Sequence, residues 1–392
     1  MKALALLLIS LALYAKDLDS LIQTAYQTNP TIQKLTQQIE LKNFDIANAQ
    51  LYKNPIVTLG LNDINLQEPI KRDLEAMQTE YINISQEITD SNKLQLNKQI
   101  EQLNKKVALL FLEEQKDRLK TTLFTYYFQY EQLTKQIQLN EQKIDNIEKI
   151  STYYTNHIQN KKAFQEILNN DLTTDKLKLQ ILLDTEKQKQ ILINISELVG
   201  EKVENLSLKD YQISSNVPSS LEEHRLLLIE NQNILIQKKQ ERLATENLSS
   251  DYTISAGYYH RSEFDDYLNI SIKFPLTFYG KEKNEVLKAK KQIHIAHSKY
   301  NEIKNTLIRK QQLELSKQKL AKSSLSYIDK IQKHLEKEKE LISKKNSLDS
   351  LIEILLLENM ILDNDIARAK YVQEIKSSNL ELLYLSSDLQ RL

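Results

Sequence analysis

The chain has 392 residues, and 53 Lys+Arg balance 53 Asp+Glu, so its formal net charge is zero and nothing in it calls for a nucleic-acid partner. Cysteine is absent, which excludes disulfides, thiol catalysis, Cys-held zinc and lipidation on an N-terminal Cys. Only 4 Gly and 5 Pro occur, far below ordinary usage, so turns are few and the elements between them must be long.

Met1-Lys2, the apolar run 3–13 and Tyr14-Ala15 read together as a signal peptide, residues 1–15, cut after Ala15. The run is too short to cross a bilayer as a helix, and no later stretch reaches the required length. The sequence therefore predicts an exported chain without a transmembrane helix. Residues 16 to 52 carry helical periodicity, with Ile32, Leu35 and Ile39 on one face and an interruption at Asn29-Pro30. Asn54-Pro55 ends that segment. Residues 56–61 then alternate, with Val57, Leu59 and Leu61 on one side. After a polar loop, 62–79, comes the strand 80–88, where Ile82, Ile84 and Ile88 oppose Asn83, Ser85 and Glu87.

From 91 to 160 the pattern is helical without Gly or Pro, a length of about 105 Å at the α-helical rise. A second helix, 163–200, covers about 55 Å before an irregular stretch, 201–220. The scheme then repeats. A helix at 221–248 (about 42 Å) leads to an alternating strand at 252–258 and a short loop at 261–265. In the next strand, 266–274, Leu268, Ile270, Ile272 and Phe274 oppose Asn269, Ser271 and Lys273. A helix at 281–343 (about 95 Å), a turn at Lys344-Lys345-Asn346-Ser347 and a last helix close the chain.

Three ordered matches indicate an internal duplication. E-Y-I-N-I-S at 80–85 matches D-Y-L-N-I-S at 266–271, Gly60 matches Gly257, and Lys161-Lys162-x-x-x-Glu166-x-Leu168 matches Lys344-Lys345-x-x-x-Asp349-x-Leu351. On this division the first repeat is 16–205, a linker is 206–220 and the second repeat is 221–392. The fold class expected is mostly α with membrane β. Four strands are too few to close a barrel, and an open sheet cannot sit in lipid because its edges leave backbone groups unpaired. Several chains must then contribute, and three copies would give twelve strands. The helices 163–200 and 221–248, end to end, come close to the length of their long partner, as the wall of a hollow helical cylinder requires. Each wall helix needs two apolar seams; the last helix offers Leu348, Leu351, Leu355 and Leu362 on one and Ile354, Leu357 and Ile361 on the other. A competing reading, a non-pore periplasmic coiled-coil protein with a structural or adhesive role, explains the seams but not the paired strands.

These features together resemble the TolC-like outer-membrane efflux proteins. The carrying residues are Asn29-Pro30, Asn54-Pro55, the matched strand pairs, Phe274-Pro275-Leu276 with Tyr279-Gly280-Lys281, and Leu198-Val199-Gly200. The resemblance covers essentially the whole mature chain. It implies a homotrimer with a twelve-stranded β-barrel in outer-membrane lipid, continued by a twelve-helix periplasmic α-barrel. It further implies passive conduction, in company with a periplasmic adaptor protein and an inner-membrane pump of the RND or ABC type.

By that resemblance the helix–turn–helix tips meet the adaptor: Lys161, Lys162 and Ala163 at the first, Lys344, Lys345, Asn346 and Ser347 at the second. The family's usual tip glycine is missing from both. Glu166, Asp349 and Glu353 are expected at the entrance gate, and three Asp349 side chains in a trimer would form a ring favouring cations. The family's second gate acid falls at Ile352. Asn83, Ser85, Glu87, Asn269, Ser271 and Lys273 are expected to line a wet lumen, and Ile82, Ile84, Leu268, Ile270, Ile272 and Phe274 to face lipid. Tyr81, Tyr267 and Tyr279 lie near strand ends, where aromatic girdles form at the membrane interface, with plain strand propensity as the alternative. No phosphate loop, Ser/His/Asp arrangement or zinc spacing appears, so neither catalysis nor a cofactor is expected. His294 and His297 share a helix face without a third metal ligand, and Tyr126-Tyr127-Phe128 with Tyr130 read as seam packing.

Overall fold

The computed structural model describes residues 15–156, 161–213, 220–344 and 348–389. The helices are α1 (Leu18–Thr28), α2 (Pro30–Asn48), α3 (Ser91–Asn156), α4 (Lys161–Val199), α5 (Arg225–Glu246), α6 (Lys281–Ser343) and α7 (Leu348–Leu385). The strands are β1 (Ala15–Lys16), β2 (Ile56–Asn62), β3 (Thr79–Ile88), β4 (Asn205–Leu206), β5 (Tyr252–His260) and β6 (Tyr267–Lys273). The long helices α3 and α6 run 66 and 63 residues without a break, as their lack of internal Gly and Pro dictates.

The chain forms two compact units. One comprises Met1–Lys34, Leu112–Arg225 and Lys304–Leu392, and the other Leu35–Phe111 and Leu226–Ile303. Each takes segments from both halves of the sequence. The first unit is helical and is centred on α3, where Leu123, Phe124, Tyr127 and Phe128 are all fully buried. Tyr211, from the irregular segment after α4, stands edge-on against Phe124 and Tyr127 at 5.4 and 5.3 Å between ring centres. The Tyr127 hydroxyl donates to the Lys209 carbonyl at 2.9 Å and accepts from the Lys209 amide at 2.5 Å. The 201–213 segment is thus pinned to the core by side chains rather than by its own periodicity. One short piece of it, β4, pairs in parallel with β1 through Ala15–Asn205 and Lys16–Leu206.

The same unit explains why two turn motifs occur together. Asn29 lies between α1 and α2, and its side-chain oxygen accepts from the Thr31 amide at 3.0 Å, capping α2 while Pro30 occupies the first helical position. Its amide donates to the Leu198 carbonyl at 3.0 Å, and the Thr28 hydroxyl donates to the Val199 carbonyl. Gly200 ends α4 at φ +74°, where its amide bonds the Ser196 carbonyl at 2.8 Å. Asn29-Pro30 and Leu198-Val199-Gly200 are therefore two sides of one junction. Asn29→Ala removes the cap and leaves the Leu198 carbonyl short of a donor. A loss of about 1–2 kcal/mol is expected, read as a lower thermal midpoint, and an unchanged midpoint would refute this role.

His224 is 1% exposed and stands edge-on to Tyr384 at 5.5 Å. Burial, helped by the nearby Lys310 and Arg225 charges, pushes its pKa from 6.5 down to about 4. The unfolded chain therefore takes up this proton at a higher pH than the folded one. The stability it secures is complete above about pH 6.5 and is lost as pH falls towards 4, by up to about 3 kcal/mol. Thermal melts of wild type and His224→Phe should diverge as pH drops through that window, with the wild type losing ground. A difference independent of pH would contradict the assignment.

Candidate functional site

The second unit holds the candidate site, an antiparallel four-stranded sheet in the order β2-β3-β5-β6. Asp90 caps the helix that follows β3, its carboxylate accepting from the Asn92 amide at 2.7 Å. Below β5, the nearly buried Lys93 donates to the Ser249 carbonyl at 2.6 Å and pairs with Asp251 at 2.9 Å. These contacts fix where the strands leave the helical part of their own unit.

The register decides the faces, because directly opposed residues share one. Leu59, Ile82, Tyr258 and Leu268 form one row, and Val57, Ile84, Ala256 and Ile270 the next. Leu59 is 74% exposed, Leu268 and Ile270 75%, and Ile272 62%. Four adjacent strands thus present a contiguous apolar face to solvent, far beyond the scattered exposure a water-soluble surface shows. Gln86 interrupts it, and its amide is satisfied by the carbonyls of Lys53 and Glu87, both at 2.8 Å.

The opposite face is polar and graded. Nearest the helices, Glu87, Thr253 and Lys273 lie in one row, and Glu87 holds Lys53 at 2.8 Å. Ser85, Ser255 and Ser271 follow, then Thr58, Asn83, Gly257 and Asn269. At the end next to the loops, Gly60, Tyr81, Tyr259 and Tyr267 form the fourth row. Asn83, Ser85, Glu87, Asn269, Ser271 and Lys273 stand on the polar face, and Ile82, Ile84, Leu268, Ile270 and Ile272 on the apolar one. Phe274 lies just beyond β6 and is 62% exposed.

Two expectations fail on the same register. Tyr81 and Tyr267 stand on the polar face, so they cannot belong to an outer girdle on the apolar one; Tyr279 lies beyond β6 and is exposed. Alternation alone carries this result, since Tyr81 has the parity of Asn83 and Tyr267 that of Asn269. Nor do the two glycines match. Gly60 faces Tyr81, whereas Gly257 faces Asn83 and Asn269, one row closer to the helices. Aligning Tyr81 with Tyr267 places Gly60 against Tyr259 and Thr58 against Gly257.

At the helix–turn–helix ends, Lys161 and Lys162 are the first residues of α4 rather than turn residues, and 157–160 lie outside the described residues. Ala163 is buried and Glu166 is half-buried. Lys344 directly follows α6 and pairs with Glu340 at 2.9 Å, while Lys345, Asn346 and Ser347 lie outside the described residues. Asp349 is in the first turn of α7, and its side chain is likewise outside them. Ile352 is buried against Ile150 with Leu355, which accounts for an apolar residue where an acid was expected, and Glu353 beside it is exposed. Of the expected α7 seam, Leu355 and Leu357 are buried but Leu351 is 51% exposed. Tyr127 and Phe128 are core residues, as their seam reading requires. His294 and His297 are exposed, and no group of three or more possible metal ligands occurs among the described residues.

No protein-family model matches the sequence, and no curated protein matches it by sequence. Solved structures do match. The chain resembles the channel CusC at a TM-score of 0.76 with 11% identity, over 95% of this chain and 93% of that one. It has the TolC-like fold. The Campylobacter jejuni outer membrane channel CmeC matches at 0.71 with 13% identity, over 95% of this chain and 86% of that one. The open Neisseria gonorrhoeae MtrE outer membrane channel matches at 0.74 with 12% identity, over 94% and 88%. Within its own unit the two-faced sheet has helices at one end of its strands and the loops 63–78 and 261–266 at the other.

Proposed function

We propose that this protein is an outer-membrane exit duct. Three copies close a twelve-stranded barrel by joining β2 of each chain to β6 of the next, and their helices continue it as a tunnel of twelve helices into the periplasm. The observation that carries this reading is the apolar face formed by Val57, Leu59, Ile82, Ile84, Leu268 and Ile270, on a sheet whose outer strands are unpaired within the chain. Such a face suits hydrocarbon, and such edges are tolerable in lipid only when a neighbouring chain pairs them. The TolC-like fold supports the reading independently.

On this account the chain is organised as two repeats, 16–205 and 221–392, joined by 206–220. The tips around Lys161–Ala163 and Lys344–Ser347 meet a periplasmic adaptor, and Glu166, Asp349 and Glu353 lie near the entrance. Flow is passive, driven by an inner-membrane pump of the RND or ABC type in a tripartite efflux or type I secretion system. No residue is assigned to catalysis. The leader 1–15 directs export. The test is to express the chain with its leader, separate inner and outer membranes, and weigh the detergent-extracted oligomer. Three copies recovered from the outer membrane are expected. A monomer in the soluble periplasmic fraction would instead favour the non-pore coiled-coil reading.

A further inference from the structure

The polar face of the sheet carries one row unlike the rest. Three rows hold Ser, Thr, Asn, Gly, Ile56 at the β2 edge and a single Glu–Lys level, whereas the row beside the loops holds Tyr81, Tyr259 and Tyr267 on three successive strands. The rings stack: Tyr81 on Tyr259 at 5.1 Å between centres and 20° between planes, Tyr259 on Tyr267 at 4.8 Å and 6°. The Arg261 guanidinium closes the stack, 5.4 Å from the Tyr267 ring centre and 5.6 Å from that of Phe264. Its Nε donates to the Asp265 carbonyl at 2.7 Å and one Nη to the same carbonyl, and no ion pair from it to a carboxylate occurs among the described residues.

Strand propensity alone does not produce this arrangement, because room has been made for it. The chain has 4 glycines, and both of those in strands lie under these rings. A Cβ on Gly60 would come within 2.5 Å of the Tyr81 ring, and one on Gly257 within 2.9 Å of the Tyr259 ring, distances no side chain tolerates. A glycine inside a strand costs stability and is retained where something must approach closely.

We infer that this row is a recognition ring for flat aromatic carboxylates on the lumen wall at the loop end of the barrel. The inference rests on the duct reading, which turns three tyrosines per chain into an aromatic belt around one passage. Stacked phenol rings attract flat rings by offset and edge-to-face contact, and a stacked guanidinium with free donors binds carboxylate by charge-assisted hydrogen bonds. The rows below carry no aromatic ring, and their one cation, Lys273, shares its row with Glu87.

Single-channel recording in a planar bilayer tests it, with 1-naphthoate, cyclohexanecarboxylate or 1-naphthylmethylammonium added on the loop side. In the wild type, 1-naphthoate is expected to block at a concentration at least about fivefold below cyclohexanecarboxylate, the scale of one aromatic contact. Tyr259→Ala should abolish that preference and Tyr259→Phe should keep it. Arg261→Gln should weaken block by 1-naphthoate and not by 1-naphthylmethylammonium. A conducting wild type that does not distinguish 1-naphthoate from cyclohexanecarboxylate overturns the ring while leaving the duct intact. So does a conducting Tyr259→Ala oligomer that retains the preference. An oligomer that conducts nothing, in the wild type and in Asp349→Ala alike, removes the duct reading and the ring with it. The wild-type comparison needs no variant, so a variant that fails to assemble does not shield the inference.

Discussion

Ile270→Lys is expected to keep the protein out of the outer membrane, whereas Asn269→Lys, one residue away, is expected to be tolerated. Ile270 is 75% exposed in a row with Val57, Ile84 and Ala256, and in the proposed barrel that row faces hydrocarbon. A lysine on the lipid face near mid-bilayer costs about 2–4 kcal/mol, and a trimer incurs that cost three times. Asn269 lies on the opposite face, between Gly257 and the sheet edge, where a lysine meets water. The measurement is the amount of each variant in the outer-membrane fraction as an oligomer that resists dissociation in detergent. Near-complete loss for Ile270→Lys with near-wild-type recovery for Asn269→Lys is the expected result. Equal recovery of the two would contradict the assignment of faces, and with it the barrel.

Phe124→Ala should be the most damaging single change in the helical unit. The ring is fully buried, packs 5.9 Å from Phe128, and meets Tyr211 edge-on. Its loss leaves a cavity that the long, rigid α3 cannot collapse to fill, at an expected cost of about 3–5 kcal/mol. Tyr127→Phe makes the informative contrast. The ring stays, but the Lys209 amide and carbonyl lose their partner, and a smaller loss of about 1–3 kcal/mol is expected. Thermal melting with limited proteolysis of the 201–213 segment separates the two. Phe124→Ala should lower the midpoint most, and Tyr127→Phe should expose the segment to cleavage with a smaller shift. Equal midpoints would mean that the aromatic cluster does not hold this segment.

Most of the fold was legible because the chain's punctuation is sparse and local. Asn54-Pro55, Pro275 and Gly280 bound the strands, and the start of α6 at Lys281 follows directly from Gly280. The apolar and polar faces of β3 and β6 were also legible, since alternation alone determines them. What the sequence could not supply was pairing. Gly60 and Gly257 look equivalent until the ladder puts them one row apart, and register depends on partners distant in sequence. Tyr81 and Tyr267 were assigned from residue type when their parity already put them on the polar face. Lys161 and Lys162 seemed to be turn residues because two lysines break no pattern, yet they begin α4. In α7 the periodicity allowed two seams, and only the packing of Ile352 and Leu355 on Ile150 shows which side meets α3. The role of Gly257 as a bed for the Tyr259 ring leaves no mark in the sequence at all.

The central claim is that three copies of this chain enclose one passage through the outer membrane. Conductance of the purified oligomer in a planar bilayer tests it most directly. The account predicts discrete steps of current from the wild-type oligomer, and larger or more frequent openings when Asp349→Ala removes the carboxylates proposed at the entrance. An intact outer-membrane oligomer that passes no current, in the wild type and in Asp349→Ala alike, would contradict it.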